Sequence, residues 1–366
     1  MIPWYRQLWH FVTSREGCGA ITVATSFGVA VGVVPSILQE LSGDLWVFVA
    51  VFVAAVAAVV GGWALGRPRG VGVVACLYPQ PDRDRLRRLE DASDGNHSSS
   101  QRLHPDLLSL GGVTLDPAAR VDLAAKLISA RIAEHQANDP DGSVTLYPLA
   151  PLDDGYLLGR RLRGTRFHAL HVMHVPSVGS EKAVHTITLG LHLEDPLTEA
   201  QCRLITRHMV TPAGTAAAAP APVPNPDCPA RYRHRLALIV RISPSTSMVA
   251  DATFVATTGE VQRSTDHSHT GYVPPDNHPC GAHAVVEAAG PLTESREVFE
   301  AVTAHIRQSW QTARATWAEE TGQPGITTRL FISAPLPIVL ALGWLMARED
   351  VTLVPHRLHL SERGRT

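Results

Sequence analysis

Residues 328–346 read TRLFISAPLPIVLALGWLM, and the fold turns on how this stretch is parsed. Arg329, Leu330, Phe331 and Ile332 form a short apolar run of strand character, Ser333-Ala334-Pro335 a small-residue turn, and the following apolar segment a helix interrupted by Gly343, where another backbone can approach closely. A strand that stops at a small turn and opens straight into a helix leaves free N–H groups at the carboxyl edge of a sheet. That is where open α/β folds hold anions. The stretch therefore predicts a parallel α/β sheet with a phosphate-class site at Ser333, Ala334 and Pro335.

The same pattern occurs earlier. Residues 145–162, TLYPLAPLDDGYLLGRRL, align with 329–346 at a constant offset of 184 without a gap, matching Leu146, Ala150, Pro151, Leu152, Leu158 and Gly159 to Leu330, Ala334, Pro335, Leu336, Leu342 and Gly343. The surroundings repeat too. A long helical pattern precedes each copy (116–137 and 293–320), an apolar run follows each (167–175 and 351–354), and an apolar strand closed by turn residues lies upstream, 71–77 before Tyr78-Pro79 and 236–242 before Ser243-Pro244. The expectation is two similar α/β halves in tandem.

The ordering of an apolar strand, a small-x-Pro turn, a helix with an Ala-Leu-Gly step and a final short strand resembles the SAVED domain, a fusion of two CARF-like Rossmann-type units found in bacterial anti-phage signalling of the CBASS type. The resemblance spans roughly residues 70–360 and is most specific over 330–354. It implies a receptor for a cyclic di- or trinucleotide made by a partner nucleotidyltransferase of the cGAS/DncV-like type.

Composition narrows the alternatives. A formal charge of −2 gives a general DNA or RNA binder no basic face with which to displace counterions from a phosphate backbone. Five cysteines, Cys18, Cys76, Cys202, Cys228 and Cys280, are odd in number and carry no CxxC pair, which fits a reducing compartment and no disulfide framework.

The chain before residue 70 has a different character. Residues 1–19 carry Trp4, Tyr5, Trp9 and Phe11 among polar residues, as in an interfacial segment; 20–38 and 45–65 are runs of nineteen and twenty-one residues without a charge. Each is long enough for a helix to cross a bilayer, so 20–66 is expected to form a two-helix transmembrane hairpin rather than a signal peptide. Arg6, Arg15, Arg67 and Arg69 flank the hairpin while its turn holds only Glu40 and Asp44, which is expected to place both ends in the cytoplasm; the resemblance implies that the membrane is a bacterial inner membrane. Gly28/Gly32 and Gly62/Gly66 have the spacing of close-packed helices and suit self-association.

Past residue 70, the expected order is a first half (70–210), a Pro/Ala-rich linker unable to form a packed element (211–230) and a second half (231–366). The arginine cluster Arg83, Arg85, Arg87 and Arg88 reads as a solvated helix face. Thr198 to Met209 reads as a helix. Asp153-Asp154 reads as helix N-capping.

Candidate ligand contacts follow from what the halves share. In the second half they are Ser243, Ser245, Thr246 and Ser247 after the upstream strand, and Ser333, Ala334 and Pro335 in the turn. In the first half they are Leu149, Ala150 and Pro151, with Arg160 and Arg161 as phosphate partners one helical turn on. Two such edges facing each other around a pseudo-twofold axis would suit a ring of repeated phosphodiesters. Residues 266–283, DHSHTGYVPPDNHPCGAH, concentrate His267, His269, His278, Cys280 and His283, but their spacing fits no zinc pattern, and a loop over the ligand pocket is the expected role. No catalytic signature occurs, so a non-enzyme is expected; the SAVED resemblance and the hairpin together imply a membrane effector that binds its ligand, assembles as a homo-oligomer, perturbs the bilayer and halts the infected cell. A membrane-anchored metal-dependent hydrolase using 266–283, or a tethered interaction module without a small ligand, are the alternatives.

Overall fold

The computed structural model describes residues 70–104, 115–138, 143–165, 169–175, 183–210, 218–244, 247–261 and 269–358, together with Val53 and Ala57 as helical positions. The expected interfacial segment and the rest of the hairpin lie outside the described residues. Among the described residues no helix is long and apolar enough to cross a membrane. Residues Gly70–Thr366 form one compact unit.

The first half of that unit runs β1 (Val71–Cys76), α1 (Arg83–Asn96), β2 (Ser99–Leu103), α2 (Pro117–Asn138), β3 (Val144–Leu149), α3 (Leu152–Leu162), β4 (Leu170–His174) and β5 (Val184–Leu189), with sheet order β2-β1-β3-β4-β5. All neighbours are parallel except β4 and β5. After α4 (Glu199–His208) and the two-residue β6 (Val223–Pro224), the second half runs β7 (Arg235–Arg241), α5 (Met248–Thr258), β8 (His269–Tyr272), β9 (Ala282–Glu287), α6 (Arg296–Thr321), β10 (Thr327–Ser333), α7 (Leu336–Leu345), β11 (Val351–Leu353) and β12 (His356–Leu358). Its sheet order is β11-β10-β7-β9-β6, and β8 pairs with β12 in a separate antiparallel ribbon.

The two sheets are built alike. Setting aside the edge strand β6, the leading strand of each (β1, β7) lies between the next two, β2 and β3 or β9 and β10, so the order in which strands are added reverses between the second and third. That reversal opens a crevice at their carboxyl ends. The registers agree residue by residue: Val71 pairs with Val144 as Leu236 pairs with Thr328, and the next strand is met by Val71 at Ser99 and by Leu236 at Ala282. Even the strand exits match, with Leu77 N donating to Leu149 O at 2.8 Å and Ile242 N donating to Ser333 O at 2.7 Å. Strands β1 and β3 are buried along their whole length, as expected of parallel strands covered on both faces.

Helices α3 and α7 join the halves. They cross where Gly159 and Gly343 meet: a Cβ on Gly159 would lie 2.0 Å from Leu340 O, and one on Gly343 would lie 2.0 Å from Tyr156 O. At the 184-residue offset, Gly159 corresponds to Gly343 and Tyr156 to Leu340, so each glycine rests on the carbonyl equivalent to the one its counterpart rests on. The contact is a local twofold. Every residue of α7 is buried, which is why that helix is apolar all round.

Three local readings are corrected. Strand β2, SSQRL, is absent from the expected order, because a mostly polar edge strand has no apolar alternation to show. The Pro/Ala segment does pack at its end: Val223–Pro224 pairs with β9, and the Asn225 amide donates to Thr257 O at 2.9 Å and Cys280 O at 3.0 Å. Asp153 and Asp154 begin α3, but its N-cap is Pro151 with no side-chain cap, and buried Asp154 instead pairs with Arg120 at 2.9 Å.

Candidate functional site

The carboxyl ends of β1, β3, β7 and β10 converge on a groove with two lobes that adjoin at Tyr78 and Leu152. One lobe, about 500 Å³, is lined by Arg85, Leu149, Ala150, His174, Ser243, Glu294, Ala334 and Pro335 among others. The other, about 400 Å³, is lined by Pro151, Asp153, Ser247, Asp251, Tyr272, Ser333 and His356 among others. Both volumes fall in the range of small-molecule clefts. The pseudo-twofold relates the walls as well: α1 supplies Arg85 and the end of β4 supplies His174 to the first lobe, while α5 supplies Asp251 and the residues after β11 supply Val354 and Pro355 to the second.

Eight of the sequence-predicted residues meet here, drawn from both halves: Leu149, Ala150, Pro151, Ser243, Ser247, Ser333, Ala334 and Pro335. The Ser333 carbonyl is held by both Ile242 N and Ser243 N, which ties the turn after β10 to the turn after β7. Ser245 and Thr246 lie outside the described residues. Arg160 and Arg161 line neither lobe. The Arg160 guanidinium donates to Val351 O at 2.8 Å and Ala347 O at 3.2 Å, and Arg161 pairs with Asp122 at 2.6 Å. Arg160 thus clamps the second half rather than facing the groove.

Several lining residues, among them Tyr78, Arg85, His174, Asp251 and Glu294, are absent from the sequence-based expectation. Tyr78 occupies the position equivalent to Ser243, so the matched Tyr78-Pro79 and Ser243-Pro244 closures carried a signal for it. Arg85 belongs to a cluster that reads as solvated, yet it sits one residue before buried Leu86 and lines the groove. His174 and Asp251 reach the site only through long-range packing and left no local mark.

The two lobes differ in charge. Among the described residues Arg85 enters no ion pair, and with Ser243 it offers donors to an anion. The other lobe has Asp153 and Asp251, which accept hydrogen bonds and repel phosphate. Helices α3 and α7 both start at prolines without side-chain caps, so first-turn N–H groups such as those of Leu152 and Leu336 are presented at the groove. Burial, reinforced by the Arg85 charge, holds the His174 imidazole neutral with its pKa down at about 4. Burial raises the Glu294 carboxyl. Tyr272 lies on the ribbon beside the second lobe, where burial and then the Asp251 charge push its hydroxyl up. Tyr78 is raised chiefly by burial. The arrangement can hold an anion at one end, accept hydrogen bonds from base N–H groups at the other, and offer the half-buried Tyr78 ring for stacking.

The histidine-rich stretch divides between the groove and the amino end of β7, with Tyr272 and Cys280 packed on the same face of the sheet. Tyr272 reaches the second lobe, whereas Asp276 pairs with Arg235 at 2.8 Å and with Arg329, and the His278 ring stacks on Tyr232 at 4.3 Å. Among the described residues no three His, Cys, Asp or Glu side chains are grouped to hold a metal; His267 lies outside them. Cys76, Cys202, Cys228 and Cys280 are free thiols.

No family model and no curated protein matches the chain. Among solved structures, it is similar to the Acinetobacter baumannii Cap4 SAVED/CARF-domain containing receptor with the cyclic trinucleotide 3'3'3'-cAAA, at a TM-score of 0.40 and 9% identity. The structure of that receptor with 2'3'3'-cAAA gives a TM-score of 0.39 and 10% identity. The similarity covers 85% of this chain and 55% of the receptor, so the chain corresponds to about half the receptor's length.

Proposed function

We propose that this protein is a non-catalytic receptor for a cyclic di- or trinucleotide, held in the groove between its two α/β halves, and that residues 1–66 anchor it to the bacterial inner membrane. The observation that carries the reading is the pseudo-twofold groove itself: two equivalent strand-turn-helix edges, each beginning a helix at an uncapped proline, open onto one cleft. A cyclic dinucleotide has the same twofold symmetry, and a cyclic trinucleotide presents repeated phosphodiesters to both edges without sharing it. The unequal charge of the lobes favours seating one phosphodiester against Arg85 and Ser243, with a base edge toward Asp153 and Asp251.

Ligand binding moves such a receptor only as far as its affinities for two states differ. The proposed output is assembly of the chains and disturbance of the bilayer by the uncharged 20–38 and 45–65 segments. Calorimetric titration of the full-length protein with a panel of cyclic di- and trinucleotides, the two cyclic triadenylates included, tests the first step; leakage from ligand-treated vesicles carrying the protein tests the second. Binding of one member and ligand-dependent leakage are expected. A panel with no binder overturns the receptor reading, and binding without leakage overturns the membrane output alone.

A further inference from the structure

Resting on the receptor reading, we propose that His174 makes ligand binding proton-linked: an anion seated beside Arg85 draws a proton onto the His174 ring, so the protein takes up a proton as it binds.

The geometry is specific. His174 ends β4 and is 8% exposed, and its ring faces the larger lobe. Three charged or titratable groups share its cavity: Arg85 from α1, Glu294 from the turn before α6 with its carboxylate 3.9 Å from Nε2, and Tyr78 from the turn after β1. Strand β5 presents apolar Val184 opposite it, and α6 presents the Phe299 ring, with centroids 6.1 Å apart. Among the described residues, the ring therefore has the Glu294 carboxylate at the edge of contact range and, sharing its cavity, the Arg85 guanidinium, which enters no ion pair.

Without ligand, desolvation and the Arg85 charge both disfavour the imidazolium. A phosphodiester at Arg85 cancels that repulsion and adds an attraction of its own, and each effect favours protonation. By linkage the converse holds, so a protonated His174 binds the anion more tightly. If the ring rises from about 4 to its ordinary 6.5 on binding, affinity increases about four-fold between pH 8 and pH 6 and about thirty-fold by pH 5. The dependence saturates below the free-state value.

The test is calorimetric titration of the full-length protein with 3'3'3'-cyclic triadenylate, or the tightest member of the panel, at pH 8 and pH 6. At pH 6 it is run in two buffers of different ionisation enthalpy, which reads proton uptake directly and needs no variant. Net uptake at pH 6, with affinity several-fold tighter than at pH 8, is expected. Two variants assign the proton: H174Q keeps hydrogen-bonding capacity and loses the uptake, whereas E294Q retains it. Binding by the native protein with no uptake overturns the inference and leaves the receptor reading intact, as does H174Q binding with the native pH dependence. Failure of the whole panel to bind at either pH overturns both.

Discussion

Replacing Gly159 by Ala puts a methyl carbon 2.0 Å from Leu340 O and 2.9 Å from Trp344 N, both backbone atoms that no rotamer change can move. Ordinary carbon–oxygen contact needs about 3.4 Å or more, so α3 and α7 must separate by about 1.4 Å along a face on which every α7 residue is buried. Overpacking of this kind costs about 1–3 kcal/mol and more where backbone is involved, while alanine returns about 1 kcal/mol in helix propensity. The net expectation for Gly159→Ala is about 2 kcal/mol of destabilisation, with a similar value for Gly343→Ala. The twofold adds a sharper test. The first substitution already opens the crossing that the second needs, so the double variant should lose at least about 1 kcal/mol less than the sum of the two. Urea denaturation of the four proteins measures all three quantities. Single variants within about 0.5 kcal/mol of the native protein, or strictly additive losses, refute the close crossing.

Arg85→Gln should weaken cyclic-nucleotide binding by about ten-fold or more, the scale of a lost charge-assisted hydrogen bond; Arg160→Ala should leave affinity nearly unchanged while lowering the urea midpoint, and the reverse pattern would contradict the placement of both residues. Arg120→Met leaves the Asp154 carboxylate buried without its partner, so a loss of about 3–5 kcal/mol is expected near neutral pH. Burial has already raised the Asp154 pKa, and the neutral acid becomes the favoured folded form as pH falls, so this deficit should shrink toward pH 5. A deficit that grows on acidification argues against the pairing. His305, 3% exposed in α6, is held neutral by burial with a pKa of about 4. Since its folded pKa lies below the unfolded value, its contribution is complete above about pH 6.5 and falls by about 2 kcal/mol by pH 5. His305→Gln should lessen the native protein's acid sensitivity by that amount, as read from denaturation midpoints at pH 7 and pH 5.

Much of the architecture was legible because the chain carries it twice. The matched strand-turn-helix copies located α3 and α7 to within a residue or two and placed Ala150 and Ala334 on one groove, and the expected apolar strands proved to be the buried parallel ones. What escaped was set by partners distant in sequence. Strand β2 holds its place by pairing with β1 rather than by its own hydrophobicity, and β6 is defined by β9 and the amide of Asn225. Arg160 has the composition and position of a phosphate ligand, yet the crossing at Gly159 turns it onto the carbonyls of Ala347 and Val351. Conversely, Arg85 sat in a cluster that looked uniformly solvated, and only the packing of α1 on β1 separates it from Arg83 and Arg87. Tyr78 was within reach, since it is the counterpart of Ser243.

The central claim is that both halves hold a single ligand between them. Calorimetric stoichiometry tests it most directly, with the native full-length protein compared against Ser333→Trp in the second half and Ala150→Trp in the first. The account predicts one cyclic oligonucleotide per chain and a loss of binding from either substitution. Two ligands per chain, or a substitution in one half that leaves binding untouched while the other abolishes it, would contradict it.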